Sequence, residues 1–142
     1  MPKLDIDIVT AERVVYSDKE VDEIIAPGVE GEFAVLPRHA AFMTMLVPGV
    51  IVIKKGDQEV DMAVSGGFLE VRQNRVVVLA DAAERAEEID LERAEEARKR
   101  ARERLVAREE VDMSRVTAAL ERSLARLRAV ERRRRRSAGP RP

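Results

Sequence analysis

The residues of this chain best equipped for chemistry recognise charge; they do not break bonds. Five consecutive arginines, Arg132 to Arg136, close its basic half. Guanidinium groups stay charged and pair with carboxylates or phosphates. Three readings of the run stand side by side: a solvated, frayed tail, a contact for an acidic protein surface, and an arm for nucleic acid. The third is the weakest, because no aromatic residue follows Phe68 to stack a base and the other half of the chain is acidic. A second candidate is the hexad Ile89-Asp90-Leu91-Glu92-Arg93-Ala94, where a carboxylate and a guanidinium stand at the junction of two architectures.

Catalytic candidates are few. With no cysteine and one histidine, disulfides, thiolate chemistry and a metal cluster are not expected, and absence of cysteine fits a reducing compartment. Ser65 in Ser-Gly-Gly has no nearby base, and paired glycines in a turn answer a steric need more often than they build an oxyanion loop. His39, in Pro37-Arg38-His39, reads as a hydrogen-bonded loop residue. Neither a catalytic residue nor a metal site is expected, and the chain is read as no enzyme. No basic-then-apolar leader and no long apolar run are present, so a soluble, untargeted chain is expected.

Two kinds of element must position these charges. Leu4, Ile6 and Ile8 alternate with Asp5 and Asp7, the period of a strand with one buried face. Similar runs at 13–16, 20–26, 32–36, 49–54, 58–64, 68–72 and 75–79 are punctuated by Pro27-Gly28, Pro48-Gly49, Gly56-Asp57, Ser65-Gly66-Gly67 and Gln73-Asn74. Seven or eight short strands predict an antiparallel β-sandwich or flattened barrel over residues 1–84. Its core must be aliphatic, since the chain has only four aromatic residues.

From about Ala82 the composition turns to Ala, Glu, Arg and Leu, without Gly or Pro until after Ala138. Leu91, Ala94, Ala97, Ala101 and Leu105 share one helical face; Val116, Leu120, Ser123, Leu124, Leu127 and Val130 share another. Glu109 to Asp112 interrupt the pattern, with Asp112 or Ser114 as a cap for the second helix. Residues 85–136 are therefore read as an antiparallel two-helix hairpin, and 137–142 as a disordered tail. An alanine seam buries few methylenes, at about 0.8 kcal/mol each, so the hairpin is expected to be marginal and able to open. Charge follows the same division: 8 basic and 15 acidic residues through Glu84, 18 basic and 12 acidic after it. The near-neutral total conceals halves of opposite sign that attract each other or a partner.

The segments 27–40, 46–50, 66–71 and 76–81, led by Pro27-Gly28-Val29-Glu30-Gly31-Glu32-Phe33-Ala34-Val35-Leu36-Pro37, resemble the epsilon subunit of the F-type ATP synthase in that family's order. The resemblance covers residues 1 to about 130. It implies a ten-stranded sandwich and a two-helix C-terminal domain. It also implies a non-catalytic rotor subunit, peripheral on the cytoplasmic face of the cell membrane, that joins the gamma subunit to the c-subunit ring in ATP synthesis coupled to proton or sodium flow. Glu30, Gly31 and Glu32 would then lie near the c ring, and Phe42, Met43 and Met45 would meet gamma, unless the methionines simply fill the barrel core. Arg38 stands where the family usually has Gly and Ala41 where it has Pro; Arg38 is expected at negative φ.

Certain bacterial members of this family bind regulatory ATP through a motif that the hexad matches at Ile89, Asp90, Arg93 and Ala94. Their acidic and basic partners fall on Glu84, Arg122 and Arg126. The resemblance implies that Arg93, Arg122 and Arg126 meet phosphates while Glu84 and Asp90 accept from the adenine amino group or orient Arg93, with no required cofactor. An opened hairpin would carry its arginines to the catalytic beta (and alpha) subunits and block ATP hydrolysis. The plainer alternative makes Asp90 a helix cap, the arginines a solvated surface, and the chain a purely structural rotor subunit.

Overall fold

The computed structural model describes residues 2–107 and 113–137. Ten strands come first: β1 (Leu4–Val9), β2 (Val14–Val21), β3 (Glu23–Gly28), β4 (Gly31–Val35), β5 (Phe42–Leu46), β6 (Gly49–Lys55), β7 (Gln58–Val64), β8 (Gly67–Arg72), β9 (Arg75–Ala80) and β10 (Ala83–Arg85). A 3-10 turn at Ala86–Glu88 leads to two helices, α1 (Leu91–Ala107) and α2 (Met113–Ser137). The strands form one sheet in the order β10-β7-β6-β3-β5-β8-β9-β1-β2, with β4 added on β3. All pairings are antiparallel except β1 on β9. The sheet curls into a nearly closed sandwich, as the alternation predicts.

Leu4, Ile6 and Ile8 are fully buried and meet Ile24, Ile51, Ile53, Met62, Leu69, Val71, Val76 and Val78 in one core. Period-two patterning produces this directly, since alternate side chains of each strand point inward. Two strands escape the periodicity. Phe42-Met43-Thr44-Met45-Leu46 is apolar on both faces, and Ala83-Glu84-Arg85 is made of helix formers, yet they form β5 and β10 by pairing with β8 and β7. The expected turn at Pro27-Gly28 lies inside β3 instead, and the reversal is the two-residue Val29-Glu30 step between Gly28 and Gly31. The run expected at 20–26 is split: Glu20, at φ 62, lies in a bulge of β2 opposite Leu4 and Ile6, and Asp22 separates β2 from β3.

The Ser-Gly-Gly turn is steric in origin. Gly67 has φ 138, and a Cβ there would lie 2.1 Å from the Leu79 carbonyl oxygen. Arg38 departs from expectation by taking φ 70, the left-handed conformation that Gly would supply. Its backbone N–H donates to Asn74 Oδ1 at 2.6 Å, which ties this loop to the β8–β9 turn. His39 is a loop residue as expected, its Nδ1 2.7 Å from the Ala40 carbonyl.

Across the open seam of the sandwich, Lys55 of β6 and the Tyr16 hydroxyl both donate to Asp18 of β2 at 2.9 Å. Burial raises the Asp18 carboxyl, but the bonds from Lys55, Tyr16 and the Lys19 amide outweigh it and hold the group below the usual aspartate range. Burial first, and then the bond to Asp18, push the Tyr16 phenol up to about 12.

α2 lies against β6 and β7, and α1 packs on α2. Asp90 caps α1, accepting the Arg93 N–H at 3.2 Å. Ala94 and Ala101 are buried as the seam predicts, with Val116 and Ser123 on α2. A second buried face of α2 was not legible in the seam: Ala129, with no exposure, packs with Ala63, Ala86, Val50 and Ile89 against the sheet, and Ala125 is buried beside it. The break expected at 109–112 and the Asp112 cap lie outside the described residues, as does the expected tail beyond Ser137.

Candidate functional site

Two adjoining cavities open where the hairpin meets the sheet. One, of about 300 Å³, lies between β7, β10 and the helices and is lined by Glu84, Ala97, Ala119, Arg122, Ser123 and Arg126 among others. The other, of about 430 Å³, is lined by Glu84, Glu88, Asp90, Arg93, Glu96, Ala97, Arg100 and Arg126. Glu84, Ala97 and Arg126 border both. The fold thus gathers Glu84 from β10, Asp90 and Arg93 from the start of α1, and Arg122 and Arg126 from α2, residues up to 42 positions apart.

Glu84 and Arg126 hold each other by two contacts, Nε to Oε1 at 2.7 Å and Nη2 donating to Oε2 at 3.1 Å. The Nη2 contact is an aligned, charge-assisted hydrogen bond, and the Nε contact is an ion pair without that alignment. Arg93 and Arg122 make no ion pair among the described residues and are exposed, so their charge is available to an anion. Arg122 and Arg126, four residues apart, share a helical face. Ile89 and Ala94 play a different part: Ile89 packs on the Ala63, Ala86 and Ala129 cluster, and Ala94 is wholly buried. Neither side chain lines the two cavities, so backbone is what they can offer a ligand.

Elsewhere, Glu30, Gly31 and Glu32 are all exposed at the β3–β4 turn, a small acidic tip. Met43 and Met45 point outward from β5, 66% and 54% exposed, which rules them out of the barrel core. Met45 aligns with Phe68 of β8 and, through it, with Leu79 of β9. Both partners are about half exposed, so an apolar row crosses three strands. Phe42 faces the other way, edge-on to Phe33 and His39. The sequence pointed to the methionines; Phe68 and Leu79 were missed because alternation alone does not say which face of a strand is inside.

The arginine run behaves least as expected. It continues α2 to Ser137, and two of its members reach the sheet: Arg136 Nη2 lies 2.7 Å from Asp61 Oδ2, and Arg132 Nε 3.3 Å from Asp61 Oδ1. The Asp61 carboxylate beside it holds the Arg136 guanidinium above its usual value. Asp61 carried no sequence signal, since one acidic residue in a strand normally marks the solvent face.

This sandwich-plus-hairpin is that of a known protein class. Residues 3–86 match the family model described as ATP synthase, Delta/Epsilon chain, beta-sandwich domain, and residues 87–131 match the long alpha-helix domain of the same chain. The chain belongs to the ATP synthase delta/epsilon chain family, as a non-catalytic subunit of that complex.

Among its relatives, the ATP synthase epsilon chain of Dehalococcoides mccartyi is 54% identical over 94% of this chain and 96% of its own length. That of Desulforamulus reducens is 46% identical over 89% of this chain and 96% of its own. A chain in the cryo-EM structure of the Euglena gracilis mitochondrial ATP synthase shares the fold, with a TM-score of 0.75 at 24% identity over 85% of this chain and 77% of that one. No helix among the described residues is long and apolar enough to cross a membrane.

Proposed function

We propose that this subunit is a rotor element whose hairpin senses ATP. The sandwich is the rigid part. Its acidic tip at Glu30, Gly31 and Glu32 meets the polar loops of the c ring, and its apolar row, Met43 and Met45 extended by Phe68 and Leu79, seats on gamma, with Phe42 bracing the loop beneath. The complex holds the chain at the cytoplasmic face of the membrane, where it transmits ion-driven rotation.

The observation that carries the sensing role is the convergence of Glu84, Asp90, Arg93, Arg122 and Arg126 on adjoining cavities whose sizes suit a nucleotide. The Arg93 and Arg122 guanidinium groups, unpaired among the described residues, supply charge for the phosphates, with Arg126 in reserve. Glu84 and Asp90 accept from the adenine amino group or steer Arg93. ATP bound only to the closed hairpin stabilises it by RT ln(1 + [ATP]/Kd), about 2.7 kcal/mol at a hundredfold excess. That is large beside an alanine-lined contact. When ATP falls, the hairpin lifts and its arginines meet acidic segments of the catalytic subunits, which stops hydrolysis.

A purely structural reading has its own support: Asp90 already caps α1 and Glu84 already pairs with Arg126. Calorimetric titration of ATP into the intact chain, beside an Arg93→Ala and Arg122→Ala double variant, separates the two. Saturable heat lost in the variant supports sensing. No heat from the intact chain leaves a structural subunit.

A further inference from the structure

The C-terminal turns of α2 rest on a carboxylate that the same helix buries. Asp61 lies in the middle of β7, and its side chain has no exposure at all. Glu59, Asp61 and Ala63 alternate onto the face beneath α2, where Ala63 touches Ala129. Above them, Arg132 and Arg136 are one turn apart, and each reaches both acidic side chains. Besides the two contacts to Asp61, Arg136 Nη1 donates to Glu59 Oε2 at 3.0 Å and its Nη2 to the Glu59 carbonyl at 3.3 Å. Arg132 Nη2 lies 3.6 Å from Glu59 Oε2. Neither Asp61 oxygen has an aligned hydrogen-bond donor among the described residues, so ion pairing is its compensation.

A buried carboxylate stripped of its counter-charge is costly by several kcal/mol, whereas the intact pair adds little over an apolar contact of equal shape. Such a cluster therefore selects geometry more than it adds strength. α2 can lie flat here only with a cation over Asp61, and in the docked helix Arg132 and Arg136 together supply it. Once α2 lifts away entirely, Asp61 and Glu59 regain water. Arg136 is ten residues beyond Arg126, about 15 Å along the helix, so this contact is separate from the nucleotide cavities.

We infer that Asp61 with Arg132 and Arg136 forms a latch that holds the C-terminal turns of α2 on the sheet and sets how readily the helix lifts. The latch also withholds from any acidic partner the arginines best placed to meet it. It rests on the reading that the hairpin is the moving part, and is independent of nucleotide binding.

Backbone hydrogen exchange on the full chain, without nucleotide, tests it with Asp61→Asn, Arg136→Gln and the double variant. Each single change is expected to lower protection of α2 amides about tenfold or more, while β8 and β9 amides keep theirs. The double is expected to lose less than the sum of the singles, because both changes break the shared Arg136–Asp61 contact. Unchanged α2 protection in Asp61→Asn, or losses that add, overturns the latch. Should Asp61→Asn also loosen the sandwich, the solvent-side Arg132→Gln and Arg136→Gln pair decides: lost protection confined to α2 supports the latch, and unchanged protection refutes it. If α2 of the unaltered chain exchanges only with the whole sandwich, the moving hairpin fails and the latch with it; absence of ATP binding would remove sensing and leave the latch standing.

Discussion

The sandwich core and the hairpin contact are built from different side chains. Inside the sandwich, Leu, Ile, Val and Met from nine strands fill one continuous cluster. Between sheet and α2, three alanines with Val50 and Ile89 do the packing, and ion pairs at Glu84, Glu59 and Asp61 set the position. Each methylene buried is worth about 0.8 kcal/mol, so the first contact resists loads that the second cannot. The difference teaches how one short chain serves as a stiff coupling and a releasable arm: stiffness is aliphatic, and release is alanine plus charge.

The largest effect that would sharpen this contrast is truncation inside the stiff part. Leu69→Ala, at a fully buried position, is expected to cost about 2–5 kcal/mol in thermal or denaturant unfolding, and to take the docked helices down with the sandwich. Overpacking the contact should do the reverse. Ala129→Leu is expected to weaken docking by about 1–3 kcal/mol, seen as faster exchange of α2 amides, while the melting of the sandwich stays where it was. Coincident loss of both would break the comparison.

A smaller effect comes from the Arg38 loop. Arg38→Gly is expected to stabilise the sandwich by about 1–2 kcal/mol by relieving its left-handed strain, without changing α2 exchange. Last is an effect confined to alkali. Tyr16 is the only tyrosine and there is no tryptophan, so phenolate absorbance reports on this group alone. Its titration in the folded chain is expected near 12, against an ordinary value of about 10. Because the folded value is raised, its contribution to stability is complete below the ordinary value and fades as pH climbs towards 12. The titration should be indifferent to Ala129→Leu, since Tyr16 packs on the sandwich core.

Sequence legibility divided along the same line. Leu4, Ile6 and Ile8 announced their strand because one face is buried and the other wet, and period two records that difference. Where both faces are apolar, as in β5, or the strand is three residues long, as in β10, no period exists to be seen. The alanine seam of α1 was visible, yet the second buried face of α2 was not: Ala125 and Ala129 are small enough to sit in either environment, and only the approach of β7 decides. Among the candidate ligand residues, Glu84, Asp90, Arg93, Arg122 and Arg126 do meet around the cavities, while Ile89 and Ala94 have side chains taken up in packing. Asp61 was silent because its burial depends wholly on two arginines more than 70 residues away. The arginine run admits readings as a tail, a partner surface or a nucleic-acid arm because charge alone does not reveal an internal partner. Arg38 misled because φ is read from residue type, and here the Asn74 bond holds the backbone where the side chain would not choose to be.

The most direct test of the account is amide hydrogen exchange on the unaltered chain with and without ATP. The account predicts that α2 amides exchange through an opening easier than sandwich unfolding, that ATP slows them, and that β8 and β9 amides do not respond. Equal protection of α2 and the sandwich core, unchanged by ATP, would contradict it: the hairpin would then be a fixed part of one rigid body.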